Sequence, residues 1–281
     1  MMLPGKECKL PLEAAVFTAH AALRAQDFGV HRVELNAPGS YPHGGLTPPV
    51  SQYLACKDAR IEVPVRIMIR PRAAPADGGM DFFYAPHEVE QMERSIAAFK
   101  AAGRMDPYRG DGFVFGALRH AGPDDTALDP AARVAVDIDV CTRLVQAARP
   151  YGCCFHRAFD PIADYDDELT LKGIKDVAAC GFKCILTAGG TSGPYTSHLQ
   201  KLDYMATKIT QRSELGDIQL VVGGGLRGSN VADAVQKLGM HINGRVWTHS
   251  AAVTERRVSD DHFDEIELMD IVSTLSQAAV H

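Results

Sequence analysis

The chain has 281 residues, of which 46% are hydrophobic and 23% are charged, so it can bury a sizeable core and wholesale disorder is excluded. Its 29 Lys and Arg against 35 Asp and Glu give a net charge of −6, which argues against a general nucleic-acid binder, because such a protein needs a basic face. No run approaches the roughly 18 consecutive apolar residues of a transmembrane helix. We therefore expect neither a nucleic-acid partner nor a membrane partner.

The start of the chain and its cysteines indicate a compartment. Residues Met1 to Leu10 carry three charged side chains and lack the apolar stretch of a secretory signal peptide. The seven cysteines are an odd number and do not have the spacing of a disulfide module. These features predict a cytoplasmic protein.

Short apolar and β-branched runs that end in polar or glycine residues are predicted to be strands. They are Leu12–Phe17, His31–Leu35, Pro64–Ile69, Gly112–Phe115, Cys153–Phe155, Lys183–Leu186, Gln219–Val222 and Arg245–Thr248. Their mostly apolar composition is typical of strands that are buried on both faces of a parallel sheet.

Helix signals lie between these runs. Pro86 begins one helix, whose apolar residues recur at three- and four-residue steps as far as Phe99. Asp129-Pro130 begins another, in which Val134, Ile138, Cys141 and Val145 form one apolar stripe. Alternating strands and helices favour an α/β fold.

Eight strand–helix units fit a closed barrel better than an open doubly wound sheet, and no G-x-G-x-x-G follows the first strand. We therefore predict a single TIM (β/α)8 barrel over residues 11–252. Residues 1–10 are expected to be an N-terminal tail, and residues 253–281 a charged segment with a helix. Two long segments, residues 36–49 and 72–85, follow strands and should lie at the C-terminal mouth of the barrel.

Polar residues inside or after the predicted strands should converge at that mouth, where TIM barrels place their chemistry. They are Glu13, Glu34, Arg70, Arg72, His156, Arg157, Asp160, Thr187, Gly223, Gly224, His249 and Ser250. The alternative is that Glu13, Glu34, Arg70 and Arg157 form a salt-bridged plug of the barrel. Because buried fixed charges are costly as mere filler, a functional pocket is the favoured interpretation.

Roles follow from the chemistry of each group. Glu13 or Glu34 is predicted to be a general base and His156 a general acid or base, with Asp160 orienting His156 or Arg157. Arginines suit a clamp on a carboxylate or phosphate, and glycine turns expose backbone N–H groups to an anion. The predicted substrate-binding residues are Arg70, Arg72, Arg157, Thr187, Gly223, Gly224, His249 and Ser250.

Cysteine spacing does not indicate a metal site. Cys153 and Cys154 are adjacent, so on a strand their side chains point to opposite faces. The chain contains no C-x-x-C and no H-x-x-x-H. Buried cysteines that behave as small apolar residues are the more common case.

Several motifs together resemble the CutC copper-homeostasis family. They are Arg32–Leu35, Gly44–Pro48, Met68–Arg72, Asp81–Tyr84, Gly112–Gly116, Phe155–Asp160, Ile185–Thr187 and Gly223–Gly225. The resemblance implies a TIM barrel, a cytoplasmic location, copper binding and a homo-oligomer.

The chain departs from the family pattern at two positions. Where relatives often carry Cys, Ala15 and Asn36 stand here. These departures weaken Cu(I) binding through thiolates, because Cu(I) prefers soft ligands. Glu34, His156 and His249 are left as ligands for a harder metal, and His241 competes with His249 for the family's strand-eight histidine.

Three classes of function follow. The first is a CutC-like copper-homeostasis protein that binds or delivers copper. The second is a barrel enzyme, an isomerase, lyase or hydrolase, that acts on a small anionic metabolite through strand-end Glu, Arg and His. No lysine ends a predicted strand, which argues against Schiff-base chemistry. The third is a barrel that serves only as a scaffold.

Overall fold

Eight parallel strands close into a barrel in the computed structural model, which describes residues 10–122, 133–241, 244–259 and 261–277. These strands are β1 (Leu12–Val16), β2 (Arg32–Leu35), β3 (Val65–Met68), β4 (Gly112–Phe115), β7 (Gly152–Phe155), β8 (Cys184–Thr187), β9 (Gln219–Val222) and β10 (Val246–Ser250). Around the barrel the order of neighbours is β1-β10-β9-β8-β7-β4-β3-β2. The predicted TIM barrel is confirmed.

A small antiparallel sheet stands beside the barrel and was not expected from the sequence. It pairs β5 (Leu118–His120) with β6 (Val134–Val136), with Leu118 opposite Val136. The predicted helix that contains Val134 is therefore wrong at that residue, because the backbone there pairs with β5. The predicted start at Asp129-Pro130 lies outside the described residues, as do residues 1–9 of the expected tail.

Helices cover the outside of the barrel. They are α1 (Ala19–Asp27), α2 (Val50–Asp58), α3 (Pro86–Ala101), α4 (Ile138–Ala148), α5 (Asp160–Ala163), α6 (Asp167–Cys180), α7 (Leu199–Gln211), α8 (Val231–Leu238) and α9 (Glu265–Gln277). Caps fix several boundaries: the Thr18 hydroxyl accepts from Ala21 N before α1, and Gly181 ends α6 at a φ of 97°. Within the described ranges, no helix has both the length and the apolar character needed to cross a membrane.

Strand side chains alternate between two environments, as they do in any closed barrel. One set, including Ile67, Phe113 and Phe155, belongs to the large core that the strands share with the helices. The other set forms a smaller apolar cluster of Met68, Val114, Cys154, Cys184, Leu186 and Val221, with Trp247 packed against it. The register of β1 places Glu13 beside His249 of β10 and Ala15 beside Glu34 of β2, and this pairing positions the site.

Candidate functional site

Three side chains from adjacent strands form a buried chain of charges: Arg32, Glu13 and His249. The Arg32 Nε donates to Glu13 Oε2, and Glu13 Oε1 lies 2.8 Å from His249 Nδ1. Burial would raise the pKa of Glu13, but the Arg32 guanidinium and His249 outweigh it and hold that pKa far below its usual range. The ionised carboxylate can only accept, so His249 Nδ1 donates to it. This leaves His249 Nε2 for other partners.

His249 and Glu34 meet at the same point. Burial would lower the pKa of His249, but Glu34 and Glu13 raise it above its ordinary value. Glu34 Oε1 accepts from Asn36 Nδ2 at 3.0 Å, whereas its buried Oε2 has no hydrogen-bond partner among the described residues. Burial raises the pKa of Glu34. A buried oxygen without a partner is rare in folded proteins and marks a place where a ligand or ion would be stabilised.

A metal ion fits this group of residues. Ligand atoms of Glu13, Glu34 and His249 all lie within 4.8 Å of one another, and no other such trio occurs in the described part of the chain. Since Glu13 is already bonded to Arg32 and to His249, it serves chiefly to orient the imidazole, as carboxylates do behind metal-bound histidines. Glu34 and His249 would then be the direct ligands of a bound ion.

A cavity of about 430 Å³ opens above these residues at the C-terminal mouth of the barrel. This volume lies within the range of small-molecule sites. Its apolar wall comes from Met68, Phe82, Leu118, Val134 and Leu186, together with Met80 and Pro161. Its polar residues include Glu34, His43, Arg70, Asp81, His156, Arg157, Asp160, Thr191 and His249. We call it the main cavity.

His156 lies at the end of β7 on the wall of the main cavity. Its Nδ1 accepts from Ala158 N at 3.2 Å, so the proton of the neutral ring is on Nε2. That Nε2 is buried without a partner among the described residues. Burial, helped by the charge of Arg70, lowers the pKa of His156 to about 3. The ring is therefore neutral at physiological pH and can donate a hydrogen bond from Nε2, and its role as a general acid or base stays a prediction.

Arg70 and Arg72 follow β3 but have different surroundings. Arg70 is buried on the wall of the main cavity and donates to the carbonyl oxygens of His43 and Gly45, and its Nη2 lies 2.7 Å from Asp81 Oδ2. It thus connects both long mouth segments, 36–49 and 72–85. Arg72 bonds to Glu88 at 2.6 Å and does not line the main cavity.

Asp160 orients Arg157 rather than His156. Its Oδ2 accepts from Arg157 Nε at 2.7 Å, and its Oδ1 accepts from Thr187 Oγ1 at 2.7 Å and from Ala188 N at 2.8 Å. Thr187 is completely buried, and its hydroxyl holds the Asp160 carboxylate in place. Arg157 remains half exposed on the cavity wall, with a side-chain exposure of 50%.

A second cavity of about 400 Å³ lies beside the main one, towards the turns that follow β9 and β10. Glu34, Gly44, Arg157 and His249 line both cavities and so form their junction. The other walls of the second cavity come from Ala15, Phe17, Asn36, Tyr41, Pro42, Gly45, Gly224, Gly225, Leu226, Arg227, Ser250 and Ala251. Both positions at which the sequence departs from the family pattern, Ala15 and Asn36, therefore face this region.

The structure brings most of the predicted site residues together. Glu34, Arg70, His156, Arg157, Asp160 and His249 line the main cavity, and Gly224 and Ser250 line the second. Glu13, Arg72, Thr187 and Gly223 line neither. His249, on β10, is the strand-eight histidine, since His241 bonds to Asp203 outside the barrel strands.

Two residues of the site were missed as functional candidates. Arg32 begins the Arg32–Leu35 motif and holds Glu13, and Asp81 begins the Asp81–Tyr84 motif and holds Arg70. Both are charged residues that begin a motif resembling the CutC family, and this position is the sequence signal that could have identified them.

The chain is similar in sequence to proteins of the CutC family. The model of the CutC family matches residues 10–246. The chain is 31% identical over 220 residues to the copper homeostasis protein cutC homolog of Mus musculus, covering 78% of this chain and 67% of that protein. It is 33% identical over 230 residues to a family protein CutC of Xanthomonas axonopodis pv. citri, covering 82% and 80%.

A solved structure has the same fold. The crystal structure of CutC from Streptococcus agalactiae superposes with a TM-score of 0.65 at 21% identity, covering 87% of this chain and all of that one. At this identity the superposition supports the barrel architecture alone.

Proposed function

The chain belongs to the CutC family, and from this membership we propose that it is a copper-homeostasis protein that binds a copper ion at the mouth of its barrel. The proposal rests on one observation: Glu34 and His249 lie next to each other on the wall of the main cavity. Glu34 offers a buried carboxylate oxygen with no partner among the described residues, and Glu13 holds His249 so that Nε2 is left available.

The donor set determines which form of copper is bound. Imidazole nitrogen and carboxylate oxygen suit Cu(II), whereas Cu(I) prefers thiolates and thioethers. With Ala15 and Asn36 at the expected cysteine positions, no thiolate from those positions reaches the junction. We therefore propose Cu(II) as the bound ion, with Glu34 and His249 as its ligands and Glu13 as the group that orients His249.

Titration of the full-length protein with Cu(II), followed by calorimetry and electron paramagnetic resonance, tests this proposal. We expect one tight site whose spectrum shows nitrogen and oxygen coordination. The variant His249→Gln should bind at least about tenfold more weakly, since it loses the nitrogen ligand. The matched control is His241→Gln, which removes a histidine that contacts Asp203 away from both cavities. Equal affinities of His249→Gln and the parent protein would refute the assignment.

We also propose that the protein acts in the cytoplasm and forms a homo-oligomer. All six described cysteines are free thiols, as is usual in a reducing compartment. Fractionation of cells that express the protein tests its location. Multi-angle light scattering tests the oligomer, and a mass equal to the 30.4 kDa monomer would refute it.

A second candidate is an isomerase, lyase or hydrolase that acts on a small anionic metabolite. The observation that favours it is the pairing of Glu13 with His249, because a carboxylate that orients an imidazole is a common device for general-base catalysis. His156, neutral and with Nε2 as donor, would supply the opposite proton. A metabolite screen by thermal shift, repeated on His249→Gln and His156→Gln, tests this candidate: a stabilising compound consumed by the parent but by neither variant would support it. If no compound that binds is consumed, it fails.

A further inference from the structure

We propose that the second cavity binds the phosphoryl group of a phosphate monoester whose organic part occupies the main cavity. This inference goes beyond the copper proposal and does not depend on it, since the groups that would hold the phosphoryl oxygens are not the metal ligands. It rests on unpaired donors, on the cationic side chains of the second cavity and on the different character of the two cavities.

Arg157 supplies the first donors. Its Nε is fixed to Asp160 at 2.7 Å, and within the described ranges its Nη1 and Nη2 have no hydrogen-bond partner. The guanidinium lies against the turn after β9, because a Cβ placed on Gly224 would be 3.9 Å from Arg157 Cζ. A guanidinium that is oriented through one nitrogen and free at the other two is well suited to grip an oxyanion.

The turn after β9 supplies backbone donors. None of the described residues accepts a hydrogen bond from the amides of Gly224, Gly225 and Leu226, and all three residues line the second cavity. Gly224 and Gly225 both have positive φ, of 91° and 79°, and a Cβ on Gly224 would lie only 2.6 Å from that of Ala188. Glycine is therefore required for this run of free amides. Loops at this end of a TIM barrel commonly hold phosphate in the same way.

Cationic side chains of the second cavity favour an anion. Arg227 lines this cavity and is fixed by bonds to the carbonyl oxygens of Leu226 and Val253. Together with Arg157, which lines the same cavity, it brings two guanidinium groups to the space where the phosphoryl oxygens would lie.

The main cavity would hold the organic part of the ligand. Its wall is largely apolar, with Met68, Phe82, Leu118 and Leu186 among its members. Because Arg157 and His249 line both cavities, a phosphoryl group beside Arg157 is directly connected to this apolar space. A small organic group joined to phosphate through oxygen would fill both parts. A free phosphate would fill only the second cavity.

Calorimetry on the full-length, chelator-treated protein tests the proposal with four probes: phenyl phosphate, inorganic phosphate, benzoate and phenol. We expect phenyl phosphate to bind at least tenfold more tightly than each of the others. Weaker binding of phenyl phosphate than of benzoate would overturn the choice of phosphate over carboxylate, and equal binding of inorganic phosphate would overturn the role of the main cavity.

Variants locate the binding site. Arg157→Gln should weaken phenyl phosphate binding at least tenfold, and Arg157→Lys, which keeps the charge, should recover part of that loss. Arg143→Gln is the control, since Arg143 pairs with Glu93 on the outer helices and lines neither cavity. Unchanged binding in a folded Arg157→Gln protein would refute the site. Because copper is titrated separately, failure of either proposal leaves the other standing.

Discussion

Glu13 Oε1 and His249 Nδ1 lie 2.8 Å apart across the seam where β1 pairs with β10 and closes the barrel. The first and last strands therefore share a side-chain contact in addition to their backbone pairing, and that contact decides which imidazole nitrogen faces the junction of the two cavities. Arg32 holds Glu13 from the other side. The orientation of His249 thus depends on Glu13, a residue that touches neither cavity.

Removal of this carboxylate should destabilise the protein. In Glu13→Gln the Arg32 guanidinium stays buried without its counter-charge, so we expect the free energy of unfolding to fall by about 3–5 kcal/mol. Urea denaturation measures this change. Glu265→Gln is the control, because Glu265 pairs with Arg24 at the surface and should cost less than about 1 kcal/mol. Similar losses in the two variants would contradict the buried-pair argument.

Copper affinity should rise with pH. His249 must lose its second proton to become a ligand, and Glu13 and Glu34 raise its pKa. Below that raised pKa, affinity for Cu(II) should fall by at least about tenfold for each pH unit, because the proton on His249 competes with the metal and the carboxyl of Glu34, whose pKa is also raised, adds a second competing proton where it is protonated. Titrations at several pH values measure the slope, and His241→Gln should reproduce it. A flat profile between pH 5 and the raised pKa of His249 would exclude His249 as a ligand.

Acid should destabilise the protein through His156. Its pKa is lowered to about 3 in the folded state, against about 6.5 when unfolded, so only the unfolded chain binds a proton between these values. Stability should therefore fall as the pH drops below 6.5, and His156 alone should cost about 2 kcal/mol by pH 5. Comparison of unfolding at pH 7 and pH 5 in the parent and in His156→Gln isolates this share. The variant should lose less stability on acidification. An equal loss would show that the ring is protonated in the folded protein.

Restoration of the expected cysteines should change the copper preference. Ala15 and Asn36 both line the second cavity, next to Glu34. We expect Ala15→Cys/Asn36→Cys to bind Cu(I) at least tenfold more tightly than the parent, because thiolates are the ligands that Cu(I) prefers. Competition with a Cu(I) chelator under reducing conditions measures the change. The double variant with Ser at both positions controls for size, and Cu(I) affinity equal to that of the serine variant would disprove the expectation.

The barrel could be predicted from the sequence because each of its strands is a short apolar run that ends in polar or glycine residues. The β5–β6 pair could not. Val134 fits the same helical stripe as Ile138 and Cys141, and only its pairing partner in β5, distant along the chain, makes it a strand.

The candidate site, too, could be predicted from the sequence only in part. Glu34, His156 and His249 were identified because they are polar residues in or directly after strands. The anion-binding role predicted for Arg70 rested on its residue type, whereas its bonds to two carbonyl oxygens and to Asp81 depend on how the mouth segments fold. Side-chain partners of this kind are set by tertiary contacts, which a single sequence does not record.

Those bonds of Arg70 couple the two mouth segments. Its guanidinium bonds to the carbonyl oxygens of His43 and Gly45 in one segment and to Asp81 in the other. Because one buried side chain makes all of these bonds, a displacement of either segment disturbs a side chain that also holds the other. The two segments are therefore restrained together rather than one at a time.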